Sequence, residues 1–205
     1  MNVVRPKLGH GRGEFVSPAQ CYDPQQPYSS YRGRHLPHFE QDGKIQFVTF
    51  RLNDSLPATY LETLRVEREL LRSLPPEELM RGADQYIAKI DYWLAQGHGE
   101  CLLKYDRIQQ LVDECLHTYD GDLYLLYDYV IMPNHVHLLI LPNESMKKII
   151  GFIKRFTARD INRLLGRQGK VWMDEHFDRM IRSVPDFHII EAYIQQNPAK
   201  WYAQG

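Results

Sequence analysis

Apolar and polar residues alternate through Ile45-Gln46-Phe47-Val48-Thr49-Phe50-Arg51-Leu52, and the period of two predicts a strand that Asn53 to Pro57 closes. From Ala58 the period becomes helical. Leu61, Leu64, Leu70, Leu71 and Leu74 share one side until Pro75-Pro76 interrupts, and Ser73 or Pro75 ends that helix. A second helix opens on Pro76 with Glu77 and Glu78. It carries an apolar stripe of Leu79, Ala83, Tyr86, Ile87, Ile90 and Leu94, and Gly97-His98-Gly99 stops it. A third, about Tyr105 to Tyr119, repeats the spacing with Ile108, Leu111, Val112, Cys115 and Leu116.

Two further strands, about Leu123 to Met132 and His135 to Leu141, flank Pro133-Asn134, which reads as a tight link between antiparallel neighbours. Ser145 is placed to cap a helix over Met146 to Leu165 whose apolar side is Ile149, Ile150, Ile153, Phe156, Ile161 and Leu164. Val171 to Arg182 holds a last strand, and Pro185 to Gln196 a final helix stopped near Asn197-Pro198. Residues 1–40 show no hydrophobic period and are rich in Pro, Gly, Tyr, Gln and Arg. They read as an extended basic arm, flexible at least over its first half.

This pattern predicts an α+β chain with one domain over 41–205 and a peripheral helical elaboration at about 58–119. Cys21, Cys101 and Cys115 are widely spaced, which argues against a disulfide framework or a zinc knuckle and for a reducing cytoplasm. The first residues are polar, and no apolar run is long enough to span a bilayer, so neither secretion nor membrane insertion is expected.

Net charge is only -1, yet the charges are segregated along the chain. Residues 1–39 hold five basic residues against two acidic, 40–143 nine against seventeen, and 144–182 ten against five. Fields act locally, so basic ends around an acidic middle suit a polyanionic partner, although a solvated helix face gives the same count.

In Met132-Pro133-Asn134-His135-Val136-His137, strand alternation turns both imidazoles to one face, where a divalent metal is the obvious shared partner. Two satisfied histidines remain the plainer reading. Near the C-terminus, Tyr193 and Asn197 stand four apart, one helical turn, and so face the same way. If that face meets the histidine strand, two imidazoles and an amide oxygen can hold an ion beside a phenol. The ion would offset charge on a phosphodiester while the phenolate attacks phosphorus. Such a mixed nitrogen and oxygen set suits Mg²⁺ or Mn²⁺, and zinc is not excluded by ligand type. A phenol holds its proton to a pH of about 10, so something must remove it, and the sequence names no such group.

His135-Val136-His137 resembles the His-hydrophobic-His motif of the HUH endonucleases, and with Tyr193-Ile194-Gln195-Gln196-Asn197-Pro198 the chain resembles single-tyrosine HUH transposases. It is similar in particular to the REP-associated tyrosine transposases. That likeness runs through Tyr31 to Phe39, Phe47 to Leu52, Gly97 to Cys101, Met132 to Leu138, His176 to Arg182 and Tyr193 to Lys200. The resemblance implies a ferredoxin-like antiparallel sheet with helices on its faces. It also implies cleavage of single-stranded DNA beside repetitive extragenic palindromic (REP) hairpins through a 5′-phosphotyrosine. By position it makes His135, His137 and Asn197 metal ligands and Tyr193 the nucleophile. It further suggests a cytoplasmic protein, nucleoid-associated when bound to DNA, acting as a monomer in preference to a homodimer.

For DNA contacts the candidates are Arg32, Arg34 and His35 of the arm, Lys154, Arg155, Arg159 and Arg163 of the basic helix, and Arg179 and Arg182. Two other functions keep the same residues. One is a catalytically silent hairpin-binding or regulatory protein, and the other a metal-dependent phosphodiesterase that activates water without a covalent intermediate.

Overall fold

A computed structural model describes residues 6–13, 15–32, 37–74 and 76–202. Five strands form one antiparallel sheet: β1 (Lys7–His10), β4 (Gln46–Leu52), β5 (Tyr124–Ile131), β6 (His135–Pro142) and β7 (Trp172–Met180), in the order β1-β5-β6-β4-β7. A separate hairpin pairs β2 (Ser29–Arg32) with β3 (Pro37–Glu40). The helices are α1 (Ala58–Arg72), α2 (Pro76–Leu94), α3 (Asp106–Thr118), α4 (Met146–Leu165) and α5 (Val184–Tyr202). The fold is therefore the expected α+β arrangement, an antiparallel sheet with helices on its faces and an inserted helical pair, α1–α2, after β4.

Register decides which residues meet. Thr49 lies opposite both His137 and Phe177, and Phe47 opposite Leu139 and Arg179, so these side chains share one face. On that face Phe47, Val130, Met132 and Leu139 pack against Phe187, Ile190 and Ile194 of α5. Residues one step along, Val48, Phe50, Val136 and Leu138, point the other way, into the main core with Ile108 and Val112 of α3 and Ile149, Ile150 and Ile153 of α4. There the Trp172 indole N–H donates to Thr157 Oγ1 at 2.8 Å, and that hydroxyl donates to the Ile153 carbonyl at 2.7 Å. A fully buried polar pair is thereby satisfied. The α1–α2 pair builds a third cluster, in which Leu64, Tyr86, Ile87 and Ile90 close on Phe177 of β7.

Local signals explain several boundaries. Ser145 Oγ accepts from the Lys148 N–H at 3.4 Å and starts α4, while Gly166, at φ 60°, ends it in the left-handed conformation that glycine adopts without strain. Ser145→Ala is expected to lower stability by about 0.5 to 1 kcal/mol. Urea unfolding would show this as an earlier midpoint at unchanged slope.

Two expectations need correction. Residues 7–10 of the supposed flexible arm are the edge strand β1, paired with β5 from Lys7↔Ile131 to His10↔Asp128. Glycine there serves close approach: a Cβ on Gly9 would lie 2.2 Å from the Tyr129 hydroxyl. The arm continues along the sheet, where Tyr22 donates its N–H to the Ile181 carbonyl at 2.7 Å and Gln20 accepts from the Ile45 N–H at 2.8 Å. The second correction concerns α5, which runs through Pro198 to Tyr202. Proline removes the donor to the Ile194 carbonyl. One residue earlier, Asn197 Nδ2 donates to the Tyr193 carbonyl at 3.0 Å and supports the turn that the proline weakens.

Candidate functional site

His135 and His137 follow the Met132–His135 turn, closed by the Met132 N–H donating to the His135 carbonyl at 2.9 Å. Both rings are buried, and their Nε2 atoms stand 3.1 Å apart. The outer nitrogens are engaged: His135 Nδ1 lies 2.7 Å from Asn134 Oδ1, and His137 Nδ1 2.8 Å from Thr49 Oγ1. An amide oxygen only accepts, so His135 carries its proton on Nδ1 and turns the Nε2 lone pair toward His137. Burial pushes the His135 pKa down to about 3, which keeps that ring neutral. Two nitrogens bound to one ion at roughly 2.1 Å sit about 3 Å apart, so the pair fits a shared cation.

Asn134 does more than orient a ring. Its Nδ2 donates to the carbonyls of Leu94 and His98, at 3.1 and 3.2 Å, and so ties the histidine turn to the end of α2. Tyr193 reaches the same face from α5. Its ring centroid lies 5.5 Å from that of His137 and 6.0 Å from that of Phe47, edge-on to both, while Phe47 stacks on His137 at 5.3 Å. Asn197, buried one turn further on, is fastened to Tyr193 through the carbonyl bond already described.

The unanticipated member is Asp91 of α2, whose Oδ2 accepts from the Tyr193 hydroxyl at 3.3 Å. Its other oxygen, Oδ1, is sealed from solvent without a hydrogen-bond partner. Burial raises the Asp91 pKa to about 7, and burial together with this carboxylate raises that of Tyr193 above the usual phenol value. Below about pH 7 each group therefore holds its own proton, and above it the Asp91 carboxylate accepts from a phenol that is still protonated. An acidic residue on the polar side of an amphipathic helix gives no sequence signal of such a contact. The α1–α2 insertion, read from sequence as peripheral, supplies a wall of the site. A cleft of about 540 Å³ opens between α2 and α5, with Asp91, Tyr92, Arg179, Arg182, Tyr193 and Asn197 among its lining.

The expected DNA contacts divide. Arg179 and Arg182 do reach the cleft, but Arg179 is bidentate to Asp186, at 2.8 and 3.0 Å, and Arg182 is paired with Asp84. Arg155, Arg159 and Arg163 are exposed on α4, across the sheet from the histidines. Arg155 and Arg159 lie over the rings of Phe152 and Phe156, and Arg159 and Arg163 pair with Asp160. Lys154 is placed differently: its ammonium donates to the carbonyls of Met173, Asp174 and Glu175, at 2.8, 3.1 and 2.7 Å, and burial lowers its pKa to about 7. Three backbone acceptors hold its ammonium against β7. Arg34, His35 and the side chain of Arg32 lie outside the described residues. Among the described residues, no helix is long and apolar enough to cross a membrane.

Comparison with known proteins bears on this geometry. No curated protein matches the chain. A solved structure described as a REP-associated tyrosine transposase bound to a REP hairpin is similar at 15% identity, covering 84% of this chain and 73% of its own, with a TM-score of 0.44. The family model described as "Transposase IS200 like" matches residues 101–197, the stretch that carries both histidines, Tyr193 and Asn197. Over that stretch, a little under half of its length, the chain is similar to the IS200-like transposase family.

Proposed function

We propose that this chain is a metal-dependent, single-stranded DNA endonuclease and transesterase that cuts through a 5′-phosphotyrosine on Tyr193, with REP-type hairpins as substrate. The observation that carries the reading is the meeting of the Tyr193 ring with the His135–His137 pair, within one chain and on one face of the sheet. The likeness of residues 101–197 to the transposase family model supports strand cleavage and transfer, and the resemblance through Tyr31 to Phe39 and His176 to Arg182 supports the hairpin substrate.

The residues divide the work. His135 and His137, with the Asn197 amide oxygen, would hold a divalent ion, Mg²⁺ or Mn²⁺. Bound there, it supplies positive charge to a non-bridging oxygen of the scissile phosphate. Asn134 and Thr49 keep the two Nε2 atoms aimed inward. Asp91 takes the phenol proton as Tyr193 Oη forms its bond to phosphorus and the bond from phosphorus to the 3′ oxygen breaks. The departing 3′ oxygen gains a proton from water and leaves as a hydroxyl. The 5′ end stays on the tyrosine, so the linkage is conserved for rejoining.

A labelled hairpin with a single-stranded flank, incubated with the protein and Mn²⁺, should give a covalent adduct that resists denaturant. EDTA should suppress it, as should His137→Ala, by at least about 100-fold. Tight binding of the hairpin with no adduct under Mg²⁺ or Mn²⁺ would instead support a silent binding protein. Cleavage without adduct would support water as the nucleophile.

A further inference from the structure

On the opposite face of the sheet, β7 turns His176 and Asp178 inward beside Phe50 and Val48, and β3 brings His38 down on them. His38 Nδ1 contacts Asp178 Oδ1, His176 Nε2 stands 3.5 Å from that same oxygen, and the two rings lie 4.5 Å apart at 30°. One ligand atom from each residue falls within 4.8 Å of the others. We infer that His38, His176 and Asp178 form a second metal site, for a divalent transition ion such as zinc, separate from the His135–His137 pair.

Two buried atoms point to a missing ligand. Asp178 Oδ2 and His176 Nε2 have no hydrogen-bond partner, although both side chains are more than nine-tenths buried. Leaving a carboxylate oxygen and an imidazole nitrogen unsatisfied in the interior is costly, and one cation satisfies both. Glu175 Oε2, another buried acceptor without a partner, adds negative potential felt by His38 and Asp178. Lys154 opposes the site electrostatically from nearby, but its ammonium is bonded to three backbone carbonyls. Two imidazoles and one carboxylate suit zinc and its first-row neighbours better than magnesium.

The position also gives the ion work to do. Among the described residues, the β2–β3 hairpin pairs with no strand of the main sheet. Its polar ties to the sheet include His38 to Asp178 and the Phe39 carbonyl accepting from Gln46 Nε2 at 3.2 Å. An ion shared between β3 and β7 would rivet the hairpin to the sheet edge.

The test uses the full chain with His135→Gln and His137→Gln, which removes the first pair and makes this proposal independent of the proposed function. Titrated with Co²⁺, that variant should bind one equivalent, with visible absorption bands of a low-coordinate nitrogen and oxygen site. Adding His176→Gln or Asp178→Asn should abolish both the bands and the equivalent. Should those variants fail to fold, Zn²⁺ should still raise the melting temperature of the His135→Gln/His137→Gln chain, reversibly with EDTA. His38→Gln should remove that rise. No bound Co²⁺ and no Zn²⁺-dependent shift, or binding unaffected by His176→Gln, would overturn the site and leave His38–Asp178 as a simple buried ion pair.

Discussion

Replacing Tyr193 by phenylalanine is expected to reduce the covalent protein–DNA adduct by at least about 1000-fold while hairpin binding is little changed. The substitution deletes one oxygen and keeps the ring. Edge-on packing against Phe47 and His137 therefore persists, and the two Nε2 atoms stay where Asn134 and Thr49 hold them. What disappears is the nucleophile, together with the donor that satisfies Asp91 Oδ2. Stability should fall by only about 1 to 2 kcal/mol, because a buried acceptor loses its partner and responds by staying protonated. Denaturing gels with end-labelled hairpin DNA read the adduct, and gel shifts with the same DNA read binding. Undiminished adduct in Tyr193→Phe would remove this tyrosine from its role, and undiminished cleavage without adduct would transfer the attack to water.

Much of this arrangement was legible because periodicity and register are linked. Alternation alone put His135 and His137 on one face, and a four-residue spacing put Asn197 beside Tyr193. The family motif supplied the link between them. What the chain could not disclose were contacts made across elements. Thr49 reaches His137 only through the β4–β6 register, and Asp91 reaches Tyr193 only because α2 packs on the face that α5 also covers. The edge strand β1 was hidden for another reason: four residues including a glycine are too few to show a period, and glycine at a close approach looks the same in sequence as glycine in a flexible tail. Proline misled at the end of α5, where its usual helix-ending effect was overridden by packing around Ile194 and by the Asn197 amide.

Asp91→Asn is expected to make the protein more stable at pH 8 and its strand cleavage slower by about 100-fold, two effects that a merely structural aspartate would not produce together. An asparagine oxygen still accepts from the Tyr193 hydroxyl, so the geometry is kept and only the capacity to take the proton is lost. The stability effect follows from linkage. Burial lifts the folded-state pKa of Asp91 to about 7, against roughly 3.9 in an unfolded chain. Between those values the folded state holds a proton that the unfolded state has released, so stability declines as pH rises from about 4 to about 7. The penalty is complete above that window, where Asn should gain on the order of a few kcal/mol, and the gain should vanish near pH 4. The other charged groups facing the cleft leave this intact: Arg179 is paired with Asp186 and Arg182 with Asp84. Cleavage by the unaltered chain should accordingly rise through pH 7 as Asp91 becomes a carboxylate, and that rise should be missing in Asp91→Asn. Urea midpoints at pH 5 and pH 8, set beside single-turnover cleavage rates at the same two values, measure both halves. A stabilised variant that cuts at the normal rate would mean that the phenol proton leaves by another route.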